Sequence, residues 1–204
     1  MAPHKRKFVF LAWVLALAAA MALAGCSVGP LEPGRQALEA RHRAWIDLTR
    51  ASLCRDGIYV LTDKGDVLPV LVNALPLNGQ VLAEARALWG SDPRFAERLD
   101  SWLAKGRIVV LVGLYARDLR DDDLVKDDRF RPSLRAGGGP KAAPAGKELL
   151  KAKFLADYFP VFNSWERVLA LSFDGQWDQD PALVVDWPYG SREIGLSAPA
   201  GATP

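Results

Sequence analysis

The 204 residues are half hydrophobic and one quarter charged, with a formal net charge of +2, which excludes a disordered, collagen-like or multi-pass membrane chain and suits one compact domain. The charge is uneven: residues 1–25 carry Lys5, Arg6 and Lys7 and no acid, so the remainder holds 23 Lys and Arg against 24 Asp and Glu. A near-neutral body offers no electrostatic footprint for nucleic acid, so no such partner is expected.

Met1 to Lys7 is basic, and Phe8 to Leu23 is an almost unbroken apolar run. That order is the build of a secretory signal, whose apolar part enters the membrane while the cations stay behind. Leu23-Ala24-Gly25-Cys26 closes the run, and this tetrapeptide resembles the lipobox of bacterial lipoproteins. The resemblance implies that residues 1–25 are a signal peptide and that Cys26 carries palmitate and two further acyl chains. Several chains anchor a protein stably where one binds only marginally. Ser27, in place of Asp, implies sorting to the outer membrane, with the body facing the periplasm from its inner leaflet. The alternative is an uncleaved spanning helix, since the apolar run is just long enough to cross a bilayer.

Residues 26–34 read as a tether, with Pro30, Pro33 and two glycines after the Cys. Eight residues reach at most about 28 Å when fully stretched, so the body is held near the membrane. A single domain is expected over residues 35–196, with a frayed tail at 197–204.

From Arg35 to about Arg55 the apolar spacing of Leu38, Trp45, Leu48 and Leu53 predicts an amphipathic helix. Ile58–Leu61 and Val67–Val72 flank Asp63-Lys64-Gly65-Asp66 and predict a β-hairpin. Pro69 cannot donate a ladder hydrogen bond, which points to an edge or a bulge there. A helix is expected around Val81–Trp89. Another starts with Asp92 as N-cap and Pro93 as first residue, repeats Phe95, Leu99, Trp102 and Leu103, and stops at Gly106. Ile108 to Tyr115 is a continuous apolar run, expected as a central strand covered on both faces. Further strands are expected around Arg129–Leu134, Leu149–Leu155, Arg167–Phe173 and Ala182–Trp187. Strands dominate and do not alternate regularly with helices. The expected fold is therefore mainly β with helices: an antiparallel, sandwich-like α+β domain with an N-terminal helix and a helical insertion over residues 79–105.

Candidate chemistry is sparse. Past residue 25 there is one histidine, His42, and beyond Cys26 one thiol, Cys54. A lone imidazole lacks the partners of a general base or a metal site, and Cys54 is expected as a buried apolar residue, with pairing or reactivity as alternatives. Six carboxylates fall within Asp118–Asp128, and Asp121, Asp123 and Asp127 are the candidate ligands for Ca²⁺, the one cofactor entertained. Asp174, Asp178 and Asp180 form a second acidic group, and interspersed cations favour the alternative of a solvated loop. Gly137 to Gly146 does not fit a phosphate loop, since Glu148 follows Lys147 where Ser or Thr would bind magnesium. It reads as a flexible hairpin connection. Tyr158-Phe159-Pro160-Val161-Phe162-Asn163-Ser164-Trp165 is the densest aromatic cluster. Tyr158, Phe159, Phe162 and Trp165 are candidate partner-binding residues if exposed, and core residues at a bend between strands if not.

The strand Val67–Val72, the helix Val81–Trp89 and the long strand Arg107–Tyr115, ending in Ala116-Arg117-Asp118-Leu119, together resemble the small outer-membrane lipoprotein of type VI secretion systems. The resemblance covers residues 66–120, carries over no site residues, and implies a short-tethered β-sandwich in a secretion machine. With no recognisable catalytic constellation, a non-enzymatic lipoprotein that binds another envelope protein is expected. A calcium- or small-ligand-binding sandwich and a cell-envelope hydrolase are the alternatives.

Overall fold

The computed structural model describes residues 33–61, 67–116, 130–136, 139–175, 181–187 and 190–196. Two compact units divide the chain, residues 1–40 and 41–204. Cys26 and the acidic residues Asp121, Asp123, Asp127, Asp178 and Asp180 lie outside the described residues.

In chain order the elements are α1 (Pro33–Ala51), β1 (Cys54–Leu61), β2 (Val67–Pro76), α2 (Gly79–Trp89), α3 (Pro93–Leu103), a 3₁₀ turn (Ala104–Gly106), β3 (Ile108–Ala116), β4 (Arg131–Arg135), β5 (Gly146–Leu149), α4 (Ala152–Tyr158), β6 (Arg167–Phe173), β7 (Ala182–Trp187) and β8 (Gly190–Gly195). The strands form a five-stranded sheet in the order β1-β2-β3-β6-β5 and a three-stranded sheet in the order β4-β7-β8. Every strand pairing is antiparallel. The expected α+β class with mostly antiparallel sheets is what the chain adopts.

The larger sheet is covered twice. Ile58, Val70, Val72, Val110, Val112, Leu114, Leu169 and Leu171 meet Leu134, Leu183, Val185 and Ile194 of the smaller sheet in one core. The alternate residues Leu75, Val109, Leu111, Val168 and Ala170 meet Trp45, Val81, Phe95, Leu99, Phe154 and Tyr158 of the helices in the other. Strand side chains alternate faces, so a strand between two cores must be apolar at nearly every position. That double cover, not a parallel topology, explains the unbroken run of β3, which lies at the centre of the sheet. The helices α2 and α3 cover the sheet's face and not its edge.

Asp92 caps α3 as expected: its side chain accepts the Arg94 backbone N–H at 3.0 Å, and Pro93 opens the helix. Gly106 has φ of 70° and ends the 3₁₀ turn in a conformation that side-chain-bearing residues resist.

Several expectations are corrected. Helix α1 ends at Ala51, and β1 begins at Cys54, so the strand takes residues assigned to the helix and to the turn after it. Leu38 is exposed, whereas Trp45 is fully buried. β2 is an interior strand, not an edge, since it pairs with β1 on one side and β3 on the other; among the described residues its pairing with β3 begins at Val70, opposite Ala116. The Leu149–Leu155 strand is instead the end of β5 followed by α4, since Phe154, Leu155 and Tyr158 share a buried helical face. β8, unforeseen, has exposed residues except Ile194, a pattern too polar to announce a strand.

Candidate functional site

Among the described residues, the helices do not cover the whole sheet face. Arg55, Asn73, Gly113 and Val168 stand opposite one another across β1, β2, β3 and β6. The helical cover ends at this row: Val168 is fully buried and Arg55 is exposed. In the next row, Gly57, Leu71 and Tyr115 stand opposite one another. Here Leu71 is 52% exposed, and its Cδ2 leans to 3.9 Å from the Cβ position of Gly57. Tyr59, two residues along β1 on the same face, is 67% exposed.

At this boundary lies a cleft of about 330 Å³ lined by Arg55, Asp56, Leu71, Asn73, Val161, Asn163 and Glu166. Glu166 is its buried carboxyl group. The Asn73 Nδ2 amide donates to its Oε2 at 3.0 Å, the Asn163 Nδ2 amide to its Oε1 at 2.6 Å, and the Asn163 backbone N–H to Oε1 at 3.3 Å. Three amide donors thus satisfy the oxygens of a carboxyl group held inside the fold. The turn that presents it is closed locally: the Trp165 N–H donates to Asn163 Oδ1 at 2.8 Å and the Glu166 N–H to the Asn163 carbonyl at 3.2 Å. That geometry leaves Trp165 outermost, 79% exposed.

Gly113 makes room for this arrangement. A Cβ there would lie 2.2 Å from Glu166 Oε2 and 2.8 Å from Phe162 Cδ1. The sheet therefore carries the carboxylate directly over its central strand. Asp56, on the opposite face of β1 among its neighbours, accepts from Arg192 Nε of β8 at 3.0 Å.

The sequence-derived candidates separate. Tyr158, Phe159 and Phe162 are buried, and their rings or neighbours pack against Trp45, Trp89, Phe95 and Phe154. They belong to the core, formed at a helix end rather than a bend between strands, so the partner-binding assignment fails for them on burial. Trp165 alone of the four is exposed. His42 is on an exposed position of α1. Cys54 is free and half-buried beside the inter-sheet core, and burial pushes its thiol above the ordinary range, which disfavours the reactive thiolate. Asp174 accepts from Arg107 Nε at 3.1 Å. No group of three or more metal-binding side chains occurs among the described residues.

Asn73, Asn163, Glu166 and Arg55 were missed by sequence reasoning. The one signal was Gly113 inside an otherwise apolar strand, since an isolated strand glycine marks a close approach of something to the backbone.

A second polar cluster caps α3. Tyr158 donates its hydroxyl to Asp92 Oδ2, and Arg94 donates to both Asp92 oxygens. Arg94 and then Tyr158 hold the Asp92 carboxyl well below its usual range. A carboxylate depressed in the folded state adds stability above its unfolded value, about 3.9, and loses it as pH falls below that. Melting temperature is therefore expected to fall more steeply from pH 5 to pH 2 in the native protein than in Asp92→Asn, which keeps a capping oxygen. Equal slopes would show that the cluster is not coupled to folding.

No known protein family, curated protein or solved structure matches the chain.

Proposed function

We propose that this chain is an outer-membrane-anchored lipoprotein whose β-rich periplasmic domain docks another envelope protein, as a structural, assembly or secretion accessory. The anchoring part rests on the basic and apolar stretch closed by Leu23-Ala24-Gly25-Cys26. The observation that carries the docking part is the end of the large sheet that no described helix covers. Tyr59 and Leu71 are exposed there, diagonal to one another across β1 and β2, and Leu71 shares the cleft with the turn that bears Trp165. Large rigid side chains at such a site desolvate area at small entropic cost and are the residues that dominate interfaces. Asn73, Asn163 and Arg55 supply a polar rim beside them.

The test places a photo-crosslinking residue at Tyr59 in the full-length lipoprotein in cells. One envelope protein is expected to be captured. Leu71→Asp and Trp165→Ala should abolish its capture, and Leu149→Asp should not, since Leu149 is an exposed apolar residue on the far edge strand β5. Capture that survives Leu71→Asp would overturn the docking face. Cys26→Ala should leave an unprocessed precursor without palmitate label; a variant still cleaved and labelled would overturn the anchor.

A further inference from the structure

The cleft has a feature that protein docking does not require. It sets a buried carboxyl group and an arginine on the two sides of one asparagine, next to an apolar wall. On one side, Glu166 lies over Gly113 of β3 and is 6% exposed. A carboxylate has about four acceptor directions, and amide donors occupy three of them here. On the other side, Arg55 stands opposite Asn73 on β1. Arg55 makes no ion pair among the described residues, and its neighbour Asp56 is engaged by Arg192. The backbones of β1 and β3 lie two strand spacings apart, about 9.5 Å, and Arg55 and Glu166 both line the cleft. Leu71 and Val161 complete the lining with apolar surface.

A ligand matching all three features is a zwitterion with an aliphatic substituent. We propose that the cleft binds a free α-amino acid with an aliphatic side chain. Its ammonium group donates to Glu166, its carboxylate is held by the Arg55 guanidinium, and its side chain packs on Leu71 and Val161. Guanidinium and carboxylate pair well because their planar forks match. An ammonium group is a better match to the carboxylate than a neutral donor, because a charge-assisted hydrogen bond is about twice as strong as a neutral one. Asn73 and Asn163 are then positioning residues that fix the carboxylate. The cleft volume of about 330 Å³ falls at the small end of the roughly 300–1,000 Å³ typical of small-molecule sites.

The test is isothermal titration of the full-length protein in detergent with L-leucine. Saturable binding to one site is expected. Leucinamide, which lacks the carboxylate, and N-acetylleucine, which lacks the ammonium, should each bind at least tenfold more weakly. Arg55→Ala should weaken leucine at least tenfold and erase the preference for leucine over leucinamide. Glu166→Gln should erase the preference over N-acetylleucine. Loss of discrimination at one end of the ligand only is a result that misfolding does not produce, and Arg55 is exposed, so its variant should fold. No saturable heat with leucine, isoleucine or valine would overturn the proposal, as would equal binding of leucine and leucinamide by the native protein. The titration contains no partner protein, so its outcome is independent of the docking reading.

Discussion

Replacing Trp45 with alanine is expected to lower unfolding free energy by about 4 kcal/mol, in the range for truncating a buried aromatic side chain. Trp45 is 1% exposed and is the point where α1 enters the helical core. Its ring meets Trp89 edge-on at 5.1 Å and Phe159 at 5.9 Å. Its Nε1 donates to the Tyr158 carbonyl at 3.0 Å, at the last residue of α4. Alanine removes the packing and also leaves that carbonyl without its donor, a second cost of about 1–3 kcal/mol if the group stays dry. Trp45→Phe keeps most of the apolar area and loses the donor, so it is expected to cost about 1–2 kcal/mol. Urea denaturation of both variants checks the pair. An alanine cost below about 1 kcal/mol would mean that α1 does not hold the helical layer together.

Helix α3 was readable because Asp92, Pro93 and the Phe95–Leu99–Trp102 spacing all state the same element locally. Strand β3 was readable because both of its faces are buried, which writes an uninterrupted apolar run into the sequence. Elements whose identity depends on distant partners were not legible. α4 is seven residues long, and Phe154, Leu155 and Tyr158 give it too few turns to distinguish a helix from a buried strand. β8 places only Ile194 in the core, so nothing in its composition predicts pairing with β7. The cleft is the extreme case. Arg55, Asn73 and Glu166 come from β1, β2 and the turn before β6, up to 111 residues apart in the numbering of the chain. Sheet register alone aligns Arg55 with Asn73 and Asn73 with Gly113. The aromatic cluster stayed open between core and surface for the complementary reason. Composition marks Tyr158–Trp165 as interesting, but only packing separates three core side chains from the exposed Trp165.

Gly113→Ala is expected to be the most damaging single-methyl change in the sheet, at about 3 kcal/mol, the upper end for overpacking a dense core. The added Cβ falls 2.2 Å from Glu166 Oε2 and 2.8 and 2.9 Å from Phe162 Cδ1 and Cε1. β3 cannot retreat, because it is paired on both sides, to β2 and to β6, and Val112 and Leu114 fill the opposite core. The strain must therefore move Glu166 and Phe162, and Glu166 cannot move without breaking its bonds to Asn73 and Asn163. A double-mutant cycle with Glu166→Ala separates the two parts. Glu166→Ala alone is costly because it strands the asparagine amides. Once the carboxylate is gone, however, the closest clash goes with it, so the two changes should combine to less than their sum by more than about 1 kcal/mol. Additive costs would mean that the Phe162 contact carries the strain. A Gly113→Ala cost under about 0.5 kcal/mol would mean that the turn bearing Glu166 yields freely. A pliable turn would not fix the carboxyl group in the cleft, on which the proposed ligand discrimination depends.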